Sequence, residues 1–150
     1  MRRRLTLLPM ATVALLLAAA PAAADSTYQT ERLVLRPTVV GEEGSGMVVN
    51  AHPNGPRIYA HEQYLLTGAK AGETYEVWLL VGSDCDSLDR FRPTASITTN
   101  AAGNGGAGYF FTFAEIDALG VRGATLAAAW EVVNDGVVAY QTDCTSIELD

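Results

Sequence analysis

"TLAAAWEVVNDGVVAYQTDC", residues 125–144, is the stretch whose reading decides the fold class. Two runs rich in β-branched and aromatic residues flank Asn134-Asp135-Gly136, the pattern of an antiparallel hairpin. A two-residue Asp135-Gly136 turn would set Trp130 opposite Gln141 and Val132 opposite Ala139. A three-residue Asn134-Asp135-Gly136 loop, with Gly136 left-handed, sets Trp130 opposite Tyr140, Val132 opposite Val138 and Leu126 opposite Cys144. The second register gathers the large apolar side chains and the cysteine on one face, which a one-residue slip would scatter. The three-residue loop is therefore expected, with Cys144 facing the core.

The same punctuation recurs upstream. Strands are expected over 30–36, 46–50, 57–66, 74–81, 95–99, 108–112, 125–133, 137–143 and 146–149, separated by Gly-, Pro- and Asn-rich turns such as "NAHPNGP" and "NAAGNGGA". Only "FAEIDALG" reads as helix, about one turn. No heptad, long amphipathic helix or internal repeat interrupts this, so the domain is all-β and antiparallel. In "TYEVWLLV" both faces are largely apolar, which marks a central strand. In "RIYAHEQYLL" one face carries Ile58, Ala60, Glu62, Tyr64 and Leu66; the other carries Arg57, Tyr59, His61 and Gln63 and is expected to face solvent.

The first segment stands apart. Arg2, Arg3 and Arg4 precede the apolar run "LTLLPMATVALLLAAA", and Ala22 and Ala24 give the A-x-A spacing of a secretory cleavage site. Residues 1–24 are expected to be a cleaved signal peptide, leaving 25–150 as a single exported domain with no membrane attachment. Without the three arginines, seven basic residues stand against seventeen acidic ones, a net charge of −10. Nucleic acid would be repelled by that field. Nine arginines against the single Lys70, in an Ala- and Gly-rich chain, point to a high-GC bacterial genome.

Cys85 and Cys144 are the only cysteines. In an oxidising compartment they are expected to pair, and closing a loop of this span contributes ~4 kcal/mol in the chain-entropy picture. Cys85 sits in "SDCDSLD", where three readings compete: calcium loop, reactive thiol and acidic turn. An EF-hand count from Asp84 puts Leu88 at position 5, Asp89 at 6 and Ala95 at 12, so that pattern fails. An irregular calcium site on Asp84, Asp86 and Asp89 stays open as the one cofactor candidate. A low-pKa thiolate is disfavoured by the flanking aspartates. His52 and His61, with both cysteines paired, fall short of a zinc ligand set.

No G-x-S-x-G, H-E-x-x-H or P-loop motif is present. A catalytic carboxylate pair can be distant in sequence, and nothing singles one out. Recognition suits the residues better than catalysis. Arg57, Tyr59 and His61 share a strand face, and Trp78 stands on a strand expected nearby; together they would make an aromatic patch for a sugar ring or a protein partner.

"LTGAKAGETYEVWLLV" followed by "ASITTNAAGNGGAGYFF" resembles many secreted bacterial immunoglobulin-like β-sandwich modules, and more faintly the antibiotic-binding chromoprotein sandwiches of actinomycetes and CHRD-type domains. That resemblance implies a Greek-key sandwich of seven to nine strands and a binding role. The expected function is a secreted, non-enzymatic binding or surface-interaction module, with a small hydrolase using dispersed carboxylates or a weak metal site as the alternative.

Overall fold

The sequence alternation produces nine strands and one short helix in the computed structural model, which describes residues 29–52 and 58–149. The expected signal peptide and Arg57 lie outside the described residues. The elements are β1 Gln29–Pro37, β2 Ser45–His52, β3 Ala60–Thr67, β4 Thr74–Gly82, β5 Asp89–Thr98, β6 Gly105–Phe111, α1 Phe113–Leu119, β7 Ala124–Asn134, β8 Val137–Gln141 and β9 Thr145–Leu149.

Every ladder is antiparallel, and the strand order is β5-β4-β7-β8-β1-β2-β3-β6, with β9 on β7 beyond the end of β8. β1 joins the two halves: Gln29 to Leu35 pair with β2, while Arg36 and Pro37 pair with β8. Opposite this seam, β5 and β6 approach through side chains, with the Arg92 guanidinium 4.8 Å from the Tyr109 ring centre. The sheet is nearly closed on itself. Its inward residues include Leu35, Val48, Tyr64, Tyr75, Val77, Ile97, Trp130, Val132 and Tyr140, all fully buried.

β5 begins earlier than the sequence suggests, because "DRFRP" carries charge and a proline that disguise an edge strand. Its register slips between Val77 and Trp78 and again between Leu79 and Leu80 of β4, leaving Thr94 and Phe91 without a direct partner. Bulges of this kind re-aim side chains: Thr94 turns inward, and Phe91 turns to the rim of the cavity. Thr94 is buried, and Phe91 reaches the cavity described below.

The hairpin expectation needs correction. Asn134 pairs with Val137 across a two-residue Asp135-Gly136 turn, whose φ values of 47° and 79° are both left-handed. A bulge then shifts the register between Val133 and Val132, so that Val132 faces Tyr140. The bulge restores the face that the three-residue loop was invoked to protect, and Trp130, Val132 and Tyr140 all point inward. The two-residue turn matches the right-handed twist of its strands directly.

A further shift before β9 pairs Ala128 with Thr145 and Leu126 with Ile147. Cys144 is accordingly only half-buried at the β8–β9 junction rather than in the core. It is bonded to Cys85 in the exposed β4–β5 turn, with 5.8 Å between Cα atoms. The bridge therefore ties together strands that flank β7.

α1 is longer than one turn. Thr112 caps it by accepting from the Glu115 N–H, while the Glu115 carboxylate accepts from the Thr112 N–H at 2.8 Å, a reciprocal capping box. Gly120, at φ 66°, ends it.

Candidate functional site

Between the two halves of the sheet, under α1, lies a cavity of about 260 Å³. Leu79 and Val81 of β4, Phe111 of β6, Ile116 of α1, Leu126 of β7 and Leu149 of β9 form its apolar wall. Phe91 and Leu119 stand at its rim, 38% and 44% exposed. One side differs. Asn50 and His52 of β2, Tyr59 ahead of β3 and Glu62 of β3 make a polar strip in an otherwise hydrocarbon lining.

Glu62 is only 3% exposed. Its Oε2 accepts from the Trp130 indole N–H at 3.0 Å and from the Tyr64 hydroxyl. The Tyr64 oxygen lies 2.8 Å from Thr94 Oγ1, which the β5 bulge brings inward. No described residue donates to Oε1. Burial pushes the Glu62 carboxyl up to about 7, against the opposing pull of the Tyr64 and Trp130 hydrogen bonds and the Arg92 charge. Burial also raises Tyr64, with the Glu62 charge acting in the same direction.

Glu62 belongs to a cross-strand row. Glu31, Asn50, Glu62 and Tyr109 are direct partners across β1, β2, β3 and β6. Asn50 is 4% exposed and its Oδ1 receives no hydrogen bond from the described residues; its Nδ2 lies 3.4 Å from His52 Nε2. Glu31 Oε1 accepts from Thr145 Oγ1 at 3.0 Å, and its buried Oε2 receives no hydrogen bond from the described residues. At the far end of the row, Tyr109 donates to Glu115 Oε1 at 2.8 Å, and Arg92 donates both to Glu115 at 3.3 Å and to the Tyr109 oxygen. Backbone and hydroxyl donors, the Thr112 N–H first, hold Glu115 down to about 2. The Arg92 charge is thus met by Glu115, while among the described residues no cation is in hydrogen-bonding contact with Glu62.

Of the patch named from the sequence, Arg57 lies outside the described residues, and Tyr59, His61 and Trp78 occupy three different settings. Tyr59 is 5% exposed and turned inward, its ring edge-on to His52 and to Phe113, each at 5.4 Å. It precedes β3, so the strand alternation that would have placed it outside does not apply to it. His61 does sit on the outer face of β3, stacked on Phe110 at 4.1 Å. Trp78 is half-buried on β4, in the other half of the sheet, beneath the Arg90 guanidinium at 5.4 Å and donating to Glu76 at 3.3 Å.

The acidic loop satisfies itself. Asp84 accepts from the Asp86 N–H at 3.1 Å and the Ser87 hydroxyl at 2.8 Å, and these bonds, the Ser87 hydroxyl first, hold its carboxyl low. Asp89 is drawn into β5 opposite Val81. Among the described residues no group of three or more His, Cys, Asp or Glu side chains converges to hold a metal ion, so Asp84, Asp86 and Asp89 are not gathered as a calcium site would require.

The residues that sequence reasoning passed over are Glu62 and Asn50. Their signal was a glutamate in the middle of the alternating face Ala60, Glu62, Tyr64, Leu66, where every neighbour is apolar or aromatic. Fold and site together define a disulfide-bonded, antiparallel all-β domain with a half-open apolar cavity and, among the described residues, one buried carboxylate in its wall. No family model matches the chain, and no curated protein or solved structure matches it either.

Proposed function

We propose that this chain is a secreted binding module that takes up a small apolar molecule in the cavity under α1. The observation that carries the reading is the cavity itself, a half-open concave site whose wall is mostly hydrocarbon with a few convergent polar groups, the usual character of a small-molecule site. A space of about 260 Å³ lined by hydrocarbon is maintained here beside buried polar groups. By comparison with an apolar cavity of roughly 150 Å³ that accepts benzene, it suits a ligand of about ten non-hydrogen atoms.

A Greek-key, immunoglobulin-like arrangement is the finer reading of the fold. It is supported by β3 pairing with β6 while β4 pairs with β7, so that the chain crosses repeatedly between the two halves. Export is supported by the basic and apolar start of the chain and by the Cys85–Cys144 bond. The hydrolase alternative rests on Glu62, whose proton affinity near neutrality suits a general acid or base. Carboxylate-pair chemistry needs a second carboxylate facing the first, and Glu62 is the only one among the described residues lining the cavity. Binding is the better account.

The test uses three probes sharing one body: ethylbenzene, 2-phenylethanol and 2-phenylethylamine. At least one should raise the melting temperature of the native protein and quench or shift the fluorescence of Trp130. Val81→Phe, which fills the cavity, should abolish that response while folding normally. Failure of all three probes would overturn the reading.

A further inference from the structure

Resting on that reading, we infer that the cavity's ligand is an amine, its ammonium head held by Glu62 Oε1 and Asn50 Oδ1 and its hydrocarbon body lying against Leu79, Phe111 and Ile116. The cavity wall holds an imbalance of hydrogen-bonding groups. Asn50 and Glu62 are direct cross-strand partners on β2 and β3, both at least 96% buried and both in the cavity wall. Asn50 Oδ1 is buried with no donor among the described residues, and the hydrogen bonds that Glu62 accepts from described residues both fall on Oε2, leaving Oε1 to the cavity side. The next partner in the row, Glu31, carries a second buried acceptor without a donor among the described residues, Oε2, beside the cavity rather than in its wall.

Buried polar atoms are ordinarily paired, so a row short only of donors calls for a ligand that brings several. An ammonium group has three N–H donors and no acceptor. It also brings a cation into direct contact with Glu62, whereas the guanidinium of Arg92, whose charge reaches Glu62, spends its hydrogen bonds on Glu115 and Tyr109. A hydroxyl brings one donor and adds lone pairs to a site already rich in them. A carboxylate or phosphate would meet like charge. The acidic chain, with a formal net charge of −7, raises the local concentration of cations at its surface.

The same three probes test this separately from the cavity itself. In calorimetric titrations near pH 7.5, 2-phenylethylamine should bind native protein at least tenfold more tightly than 2-phenylethanol or ethylbenzene. Glu62→Gln keeps the shape and still accepts from Tyr64 and Trp130; it should remove that preference while leaving ethylbenzene affinity within about threefold. If ethylbenzene or 2-phenylethanol binds the native protein as tightly as the amine, the cavity reading stands and the amine assignment falls. If no probe binds, both fall. The native-protein ranking decides the assignment even if the Glu62→Gln variant fails to fold.

Discussion

Glu62 keeps its proton in the native chain over a pH range in which the unfolded chain has already released it. Its folded value, about 7, lies above the ordinary 4.5 because burial penalises the charge. Between those values the native state binds more protons than the unfolded state, so stability is complete below about pH 4.5 and declines as pH rises through 7. The groups facing the carboxyl are Tyr64 on its own strand, Asn50 from β2, Thr94 and Arg92 from β5, Tyr109 from β6 and Trp130 from β7. The loss amounts to roughly 3 kcal/mol. Urea unfolding at intervals from pH 4.5 to 8 should show it, and Glu62→Gln should flatten the profile. An unchanged slope in the variant would assign the effect elsewhere. The inward direction of Glu62 was legible from strand alternation, but the size of its desolvation was not. That depends on strands brought together from distant parts of the chain, such as β7, whose Trp130, 68 positions away, donates to Glu62.

At the scale of the element, the β7–β8 hairpin shows how far turn chemistry can be read. "NDG" announced a hairpin correctly, yet the choice between two- and three-residue loops turned on a bulge that apolar patterning does not encode. Both turn residues are left-handed, and a Cβ on Gly136 would meet nothing within 4 Å. Gly136→Ala should therefore destabilise by about 1–2 kcal/mol through backbone strain alone, read as a lower urea midpoint with an unchanged m value. A larger loss would mean that contacts beyond the turn are involved. β5 illustrates the converse. Its charged, proline-containing start hid six residues of strand, because an edge strand needs neither an apolar run nor every N–H.

For the whole molecule, the Cys85–Cys144 bond closes a separation of 59 residues across the two neighbours of β7. Replacing both cysteines by serine should lower stability by about 4 kcal/mol. The bridge lies at the surface, so the double variant, where folded, should retain the probe response of the cavity; loss of that response would place the bridge among the groups shaping the site. Short-range regularities determined much of this protein from the sequence alone: the all-β class, most strand positions, the inward face of β3, the acidic balance and the only possible pairing of two cysteines. These follow from side-chain period, turn residues and counting, which need no knowledge of what lies opposite. Tertiary structure alone decided the rest. Closure of the sheet turned Tyr59 inward and kept His61 apart from Trp78. It also set Asn50 beside Glu62 and left a cavity above them, because burial and the supply of hydrogen-bond donors are properties of strands brought together from distant parts of the chain.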